Sequence, residues 1–167
     1  EVSWFVNNLF MAEFPFYKQH DAMQCGITCL RMVCKYFGKE FSSDRLSGIC
    51  FATNEGVSIL GISEAAEKIG LHTLCGKFKV EQLTEISLPC ILHWNQNHFV
   101  VLYKIKKKKW FYIADPAQGL IKYSLKEFCS HWLSTKLSGE EIGIAILMQT
   151  TPVFYEYKNE DRTKKRS

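Results

Sequence analysis

The residues that could do chemistry begin at Gln19-His-Asp-Ala-Met-Gln-Cys-Gly-Ile-Thr-Cys29, which sets a cysteine and a glycine at the mouth of a helix. A thiol in the first turn of a helix lies near free backbone N–H groups and the positive end of the macrodipole, which favours thiolate and so nucleophilic attack. Cys25 is the candidate nucleophile. Acyl transfer by a thiolate also needs an imidazole to share the proton, a polar group to orient the imidazole, and donors for the oxyanion. His98 opens the apolar run His98-Phe-Val-Val-Leu-Tyr103, a costly place for a polar ring unless its nitrogens are used. The period of two sets it on the face of Val100 and Leu102. Asp115 ends the next strand just before Pro116, where a neighbouring strand brings its carboxylate to the second nitrogen of His98. Gln19, six residues before Cys25, folds back so that its amide donates toward the same oxyanion as the Cys25 backbone N–H. Donors so placed are worth about 3 to 4 kcal/mol of barrier. Taken singly, each residue has a plainer reading: a small buried thiol, a structural histidine, an Asp-Pro turn, a surface glutamine. Their order along one chain is what joins them.

The elements that must position these side chains follow from periodicity. From Cys25 onward, Leu30, Val33 and Phe37, with Cys29 and Met32 beside them, recur at spacings of three and four, one face of a helix that Gly38 closes. Ser42-Ser-Asp-Arg caps a short second helix through about Cys50. Ser58 caps a third, with Ile59, Ile62, Ala65, Ala66 and Ile69 as its apolar stripe and Gly70 as its stop. Then the period changes. Leu71 to Phe78 runs extended, and Val80 to Glu85 makes a short helical turn. Leu88 to Trp94 and His98 to Tyr103 form a hairpin across Asn95-Gln-Asn97. Lys106 to Lys109 occupies the next turn, Trp110 to Ala114 returns as a strand, and Asp115 to Gly119 turns into Leu120 to Tyr123. Ser124 starts a helix toward Trp132, Glu141 to Met148 is a closing strand, and from Pro152 the chain leads away. Helices first and then a mostly antiparallel sheet define an α+β domain.

With 167 residues, 47% of them apolar, the chain holds one substantial core and is too short for two ordinary domains. The expected division is an extension over 1–13, the domain over 14–155 and a charged linker over 156–167. The net charge of +4 is concentrated in that tail, where Lys158, Arg162, Lys164, Lys165 and Arg166 outweigh Glu160 and Asp161. The rest is near neutral, and no zinc-finger spacing or arginine-rich face suggests nucleic acid. Seven cysteines in no regular short spacing read as reduced thiols of a cytosolic compartment. Cys25-x-x-x-Cys29 without a second pair is a poor zinc or redox signal. No apolar stretch is long enough to cross a bilayer, and no secretory signal precedes the domain, so the fragment is expected to be soluble.

The pattern Gln19-x-Asp21-x-x-x-Cys25-Gly26-x-x-Cys29-Leu30, followed by His98-Phe-Val-Val and Asp115-Pro, resembles the N-terminal peptidase domain of bacteriocin-processing ABC transporters, a papain-like cysteine peptidase family. The likeness covers about residues 14 to 155. It implies Cys25 as nucleophile, His98 as base, Asp115 as its orienting partner and Gln19 as oxyanion donor. The family usually carries an acidic residue just before the cysteine; here the position is Gln24. The implied substrate is a precursor peptide with a double-glycine leader, cut after the second glycine. The implied partners are the transmembrane and ATP-binding parts of the same transporter, at the cytoplasmic face of the bacterial membrane. No cofactor is implied for this domain, ATP belonging to the nucleotide-binding part. The competing reading is a module that docks the leader without cutting it.

Overall fold

A computed structural model describes residues 14–50, 56–133, 135–137 and 139–158. The expected extension over 1–13 and nearly all of the charged tail lie outside the described residues.

Three helices come first: α1 (Cys25–Tyr36), α2 (Ser43–Ile49) and α3 (Ile59–Lys68). The side chains of Ser42 and Ser58 accept the backbone N–H groups of Arg45 and Gly61, so both serine caps form as their sequence context predicts. After β1 (Leu71–Phe78) and the single turn α4 (Val80–Leu83) come β2 (Cys90–Trp94), β3 (His98–Lys106), β4 (Trp110–Asp115) and β5 (Gly119–Ser124). Helix α5 (Leu125–Trp132), β6 (Thr135–Leu137), β7 (Glu140–Thr150) and α6 (Pro152–Glu156) complete the order. The architecture is α+β, as expected.

All strand pairings are antiparallel, in the order β1-β7-β2-β3-β4-β5, with β6 on β7. β7 therefore inserts between the first strand and the central hairpin, pairing Leu74 with Leu147 on one side and Cys90 with Leu147 on the other. Two cores form, one on each face. On the first, Leu30, Val33, Ile62, Ala65, Ala66 and Ile69 pack with Ile91, Phe99, Val101 and Ile146. On the second, Phe128 and Trp132 of α5 pack with Leu92, Val100, Leu102, Phe111 and Ile113. The alternation along β3, with Phe99 and Val101 on one side and Val100 and Leu102 on the other, is what lets one apolar strand serve both cores.

The chain does not lead away at Pro152. Proline at the first helical position sacrifices an N–H that has no partner there anyway, and the short α6 it starts buries Phe154 completely. Gly70 makes the room: it has φ +99°, and a Cβ there would stand 2.3 Å from the Phe154 backbone nitrogen. The Lys39 ammonium donates to the carbonyls of Phe154 and Tyr157, and Arg45 Nη2 donates to the Tyr157 hydroxyl at 2.9 Å.

Candidate active site

The chain enters the site through a 3-10 turn, Ala22–Gln24, whose Asp21 carboxylate accepts the Met23 N–H at 2.8 Å. That turn delivers Cys25 as the first residue of α1, as its spacing predicts. Nine of the twelve residues of α1 are buried, so the helix is enclosed rather than laid on a surface. Gly26 permits the enclosure: a Cβ there would come within 2.8 Å of Ile62 Cδ1 and 3.5 Å of the Phe99 ring. The missing side chain lets the first turn of α1 press against both α3 and β3.

His98 begins β3 and Asp115 ends β4. The register sets Val101 opposite Ala114, so one step further Asp115 faces Val100, on the side of the sheet that His98 shares. The diagonal closes with a hydrogen bond: His98 Nε2 donates to Asp115 Oδ1 at 2.7 Å. The Ala117 N–H donates to the same oxygen at 2.9 Å, fixing the carboxylate from the turn that follows. Burial would push the imidazolium of His98 down, but the hydrogen bond to Asp115, a further one with the Cys25 side chain, and the charges of both outweigh burial and raise it to about 9. Burial likewise pushes Asp115 up, yet the bonds from His98 and Ala117 hold its carboxyl below the ordinary value. The imidazole thus stands between a thiol and a carboxylate.

Gln19 is tied to the same corner by its backbone, whose N–H donates to the Pro116 carbonyl at 2.9 Å. Its Oε1 is buried and has no hydrogen-bond partner among the described residues, and the same is true of Gln24 Oε1. Orphaned amide oxygens are costly in a folded protein, and two of them lie within the six residues before Cys25.

Sequence reasoning missed the clamp on the turn before His98. Asn95 and Gln96 have φ of 50° and 67°, both left-handed, as the central residues of the turn that the Asn97 N–H closes on the Trp94 carbonyl at 3.3 Å. The Asn95 N–H donates to the His131 carbonyl at 2.9 Å, and Asn95 Oδ1 meets His131 Nδ1 at 2.9 Å. The His131 ring stacks on Trp94 with centroids 5.0 Å apart. The end of α5 therefore grips the hairpin that carries His98. The only trace of this in the sequence is an asparagine at the first turn position.

Burial pushes Cys29, Cys34 and Cys90 up, and Cys50 up to about 11, keeping them as neutral core groups. All seven cysteines are unpaired. His93, on the strand beside His98, is pushed down by burial and packs against Phe99 at 5.3 Å. Among the described residues no group of three or more His, Cys, Asp or Glu side chains could hold a metal ion, and no helix is long and apolar enough to cross a membrane.

A model of the peptidase C39 family matches residues 13–140. The chain is 33% identical over 120 residues to the colicin V secretion/processing ATP-binding protein CvaB of Escherichia coli, a match covering 72% of this chain and 17% of that protein. It is 34% identical over 125 residues to the lactococcin-G-processing and transport ATP-binding protein LagD of Lactococcus lactis, covering 71% and 18% respectively. The chain thus spans under a fifth of the length of these curated relatives. Among solved structures, a double glycine motif protease from an AMS/PCAT transporter, crystallised with the leader peptide, superposes with a TM-score of 0.73 at 33% identity over 84% of this chain and 94% of that one. The peptidase domain of Streptococcus ComA, at 24% identity and TM-score 0.69, covers 83% of this chain and 100% of that one and shares the fold.

Proposed function

This chain belongs to the peptidase C39 family of cysteine peptidases, and from that premise we propose that it is the leader peptidase of a peptide-exporting ABC transporter, cutting precursor peptides after a double glycine. The observation that carries the reading is the imidazole of His98, held through Nε2 by Asp115 at 2.7 Å and close enough to Cys25 for the thiol to help raise it to about 9. A family match alone would not require that contact, whereas thiol catalysis does.

In this reading Cys25 Sγ, its proton held by His98, attacks the carbonyl carbon of the second glycine. A C–S bond forms and the carbonyl oxygen becomes an oxyanion, stabilised by the Cys25 backbone N–H and the Gln19 amide. The His98 imidazolium gives its Nδ1 proton to the leaving amine, the C–N bond breaks, and the cargo departs. Water, deprotonated by the now neutral imidazole, attacks the thioester; the leader leaves with a new carboxylate and the proton returns to the thiol–imidazole pair. Asp115 keeps Nε2 protonated throughout, so that Nδ1 is the nitrogen that exchanges protons. Glycine at the cut suits a thiol that is only 7% exposed, since a side chain beside the scissile bond would have to enter the packed mouth of α1.

The transporter's transmembrane and ATP-binding parts are the proposed partners, by analogy with the relatives' names, and the cytoplasmic face of the membrane is the proposed location. The test is cleavage of a synthetic double-glycine leader–cargo peptide, with the cut read by mass spectrometry. One cut after the second glycine, abolished in Cys25→Ala, is the expected result. Tight binding of the peptide by both proteins with no cut by either would replace this reading with the docking module.

A further inference from the structure

At the end of the sheet opposite His98, the face that α1 leaves uncovered carries an unusual set of side chains. Register places Lys104 opposite Tyr112, Lys106 opposite Trp110, and Lys122 opposite Tyr112, so these five share one face across β3, β4 and β5. Lys104 Nζ lies 5.1 Å from the Tyr112 ring centroid and Lys122 Nζ lies 4.3 Å from that of Trp110, which is 38% exposed. Lys107 and Lys109 extend the charge around the β3–β4 turn. None of Lys104, Lys106, Lys107, Lys109 and Lys122 has an ion-pair partner among the described residues. Lys108 leans to the other side, where it lines a hollow with Glu81 and Glu85. The carboxylate of Glu127, at the start of α5, is engaged by the Ser124 hydroxyl at 2.9 Å. Lys107 and Lys108 both have φ of 55°, a left-handed turn in which asparagine and glycine would be relaxed and lysine is strained. A merely solvated turn does not need lysine there.

We propose that this basic, aromatic face, Lys104, Lys106, Trp110, Tyr112 and Lys122 with the lysine turn at its tip, docks on the anionic surface of a lipid bilayer. Charge complementarity selects the occupant: unpaired ammonium groups are drawn to a surface of anionic headgroups, and an exposed tryptophan among them is the side chain that settles at the headgroup level. The placement agrees with the proposed role as part of a membrane transporter, on which this inference rests. His98 opens and Lys106 ends the same strand, eight residues apart, so the docked tip would hold the catalytic end roughly 26 Å from the headgroups, open to peptide from the aqueous side.

The test is flotation of the 167-residue chain with vesicles of phosphatidylcholine alone or of equimolar phosphatidylcholine and phosphatidylglycerol, with Trp fluorescence recorded alongside. The expected result is binding to the anionic vesicles only, lost at high salt, and reduced at least about tenfold in the Lys104→Glu/Lys106→Glu/Lys122→Glu variant. Cleavage of a soluble leader peptide by that variant should be unchanged, which separates failure of the docking face from failure of the peptidase reading. A chain ending at Lys158 controls for the basic tail. Binding that survives the triple reversal but disappears with the tail removed, equal binding to neutral vesicles, or no vesicle binding together with salt-sensitive capture of a single-stranded oligonucleotide, would each overturn the proposal.

Discussion

His98 and Asp115, 17 residues apart in the chain, are joined by a 2.7 Å hydrogen bond across the ends of two strands, and Asp115 is only 3% exposed. A carboxylate so enclosed acts on the imidazole as a fixed charge. Replacing it with an amide should lower kcat/KM for leader cleavage by about 10²-fold, because the ring loses both its orientation and the charge that stabilises its protonated form. An Asp115→Asn variant with wild-type kinetics would remove Asp115 from the mechanism.

The same charge sets the pH dependence. With His98 raised to about 9, the imidazolium that protonates the leaving amine in the proposed mechanism persists through neutral pH and is lost above it, so kcat/KM should fall as pH rises through about 9. Asp115→Asn removes a stabiliser of the cation, which must move this alkaline limb to lower pH. A limb that stays in place in the variant would show that another group controls it.

Folding stability should decline over the same range. His98 binds its proton more tightly in the folded state than its ordinary value of 6.5 allows, so its contribution is complete below about 6.5 and is lost as pH rises through about 9. Cys29, Cys34, Cys50 and Cys90 are acids whose ionisation burial suppresses, and their contribution is likewise lost as pH passes their ordinary value of 9.0. Thermal melts in reductant should therefore give a falling Tm from pH 7 to 10, and His98→Gln should flatten the part below pH 9.

Gln19→Ala should reduce kcat by about 10²- to 10³-fold with little change in KM, the signature of a donor used mainly in the transition state. Its backbone bond to Pro116 does not depend on the side chain, so the variant should keep its melting temperature. A matching loss of stability would instead mark Gln19 as structural.

His131→Ala removes the bond to Asn95 and the stack on Trp94, while the backbone bond from the Asn95 N–H remains. The expected cost is about 1 kcal/mol in urea unfolding, with a fall in kcat as the hairpin before His98 loosens. Unchanged kcat in a destabilised variant would confine the clamp to stability.

Gly70→Ala should be more damaging than Gly143→Ala. At Gly70 the left-handed backbone and a contact of 2.3 Å with main-chain nitrogen leave nothing that can yield. At Gly143 the obstacle is the Trp132 ring at 2.3 Å, which can shift within its core at a cost of about 1 to 3 kcal/mol. Urea midpoints for the two variants would rank them.

Read alone, the chain determined the helix beginning at Cys25, the serine caps of α2 and α3, the 94–98 hairpin and the α+β class, because each rests on contacts within a few residues. It also held Gln19, Cys25, His98 and Asp115 in an order whose resemblance to a peptidase family could be stated. Tertiary structure decided the rest. That β7 lies between β1 and β2 depends on pairings such as Leu74 with Leu147, seventy-three residues apart, which no local period encodes. That Pro152 starts a docked helix depends on the space left by Gly70. That His98 meets Asp115 depends on the β3–β4 register, and that the helix carrying Cys25 presses against the strand carrying His98 depends on Gly26. Periodicity reports which face of an element is apolar; only packing decides which element that face meets.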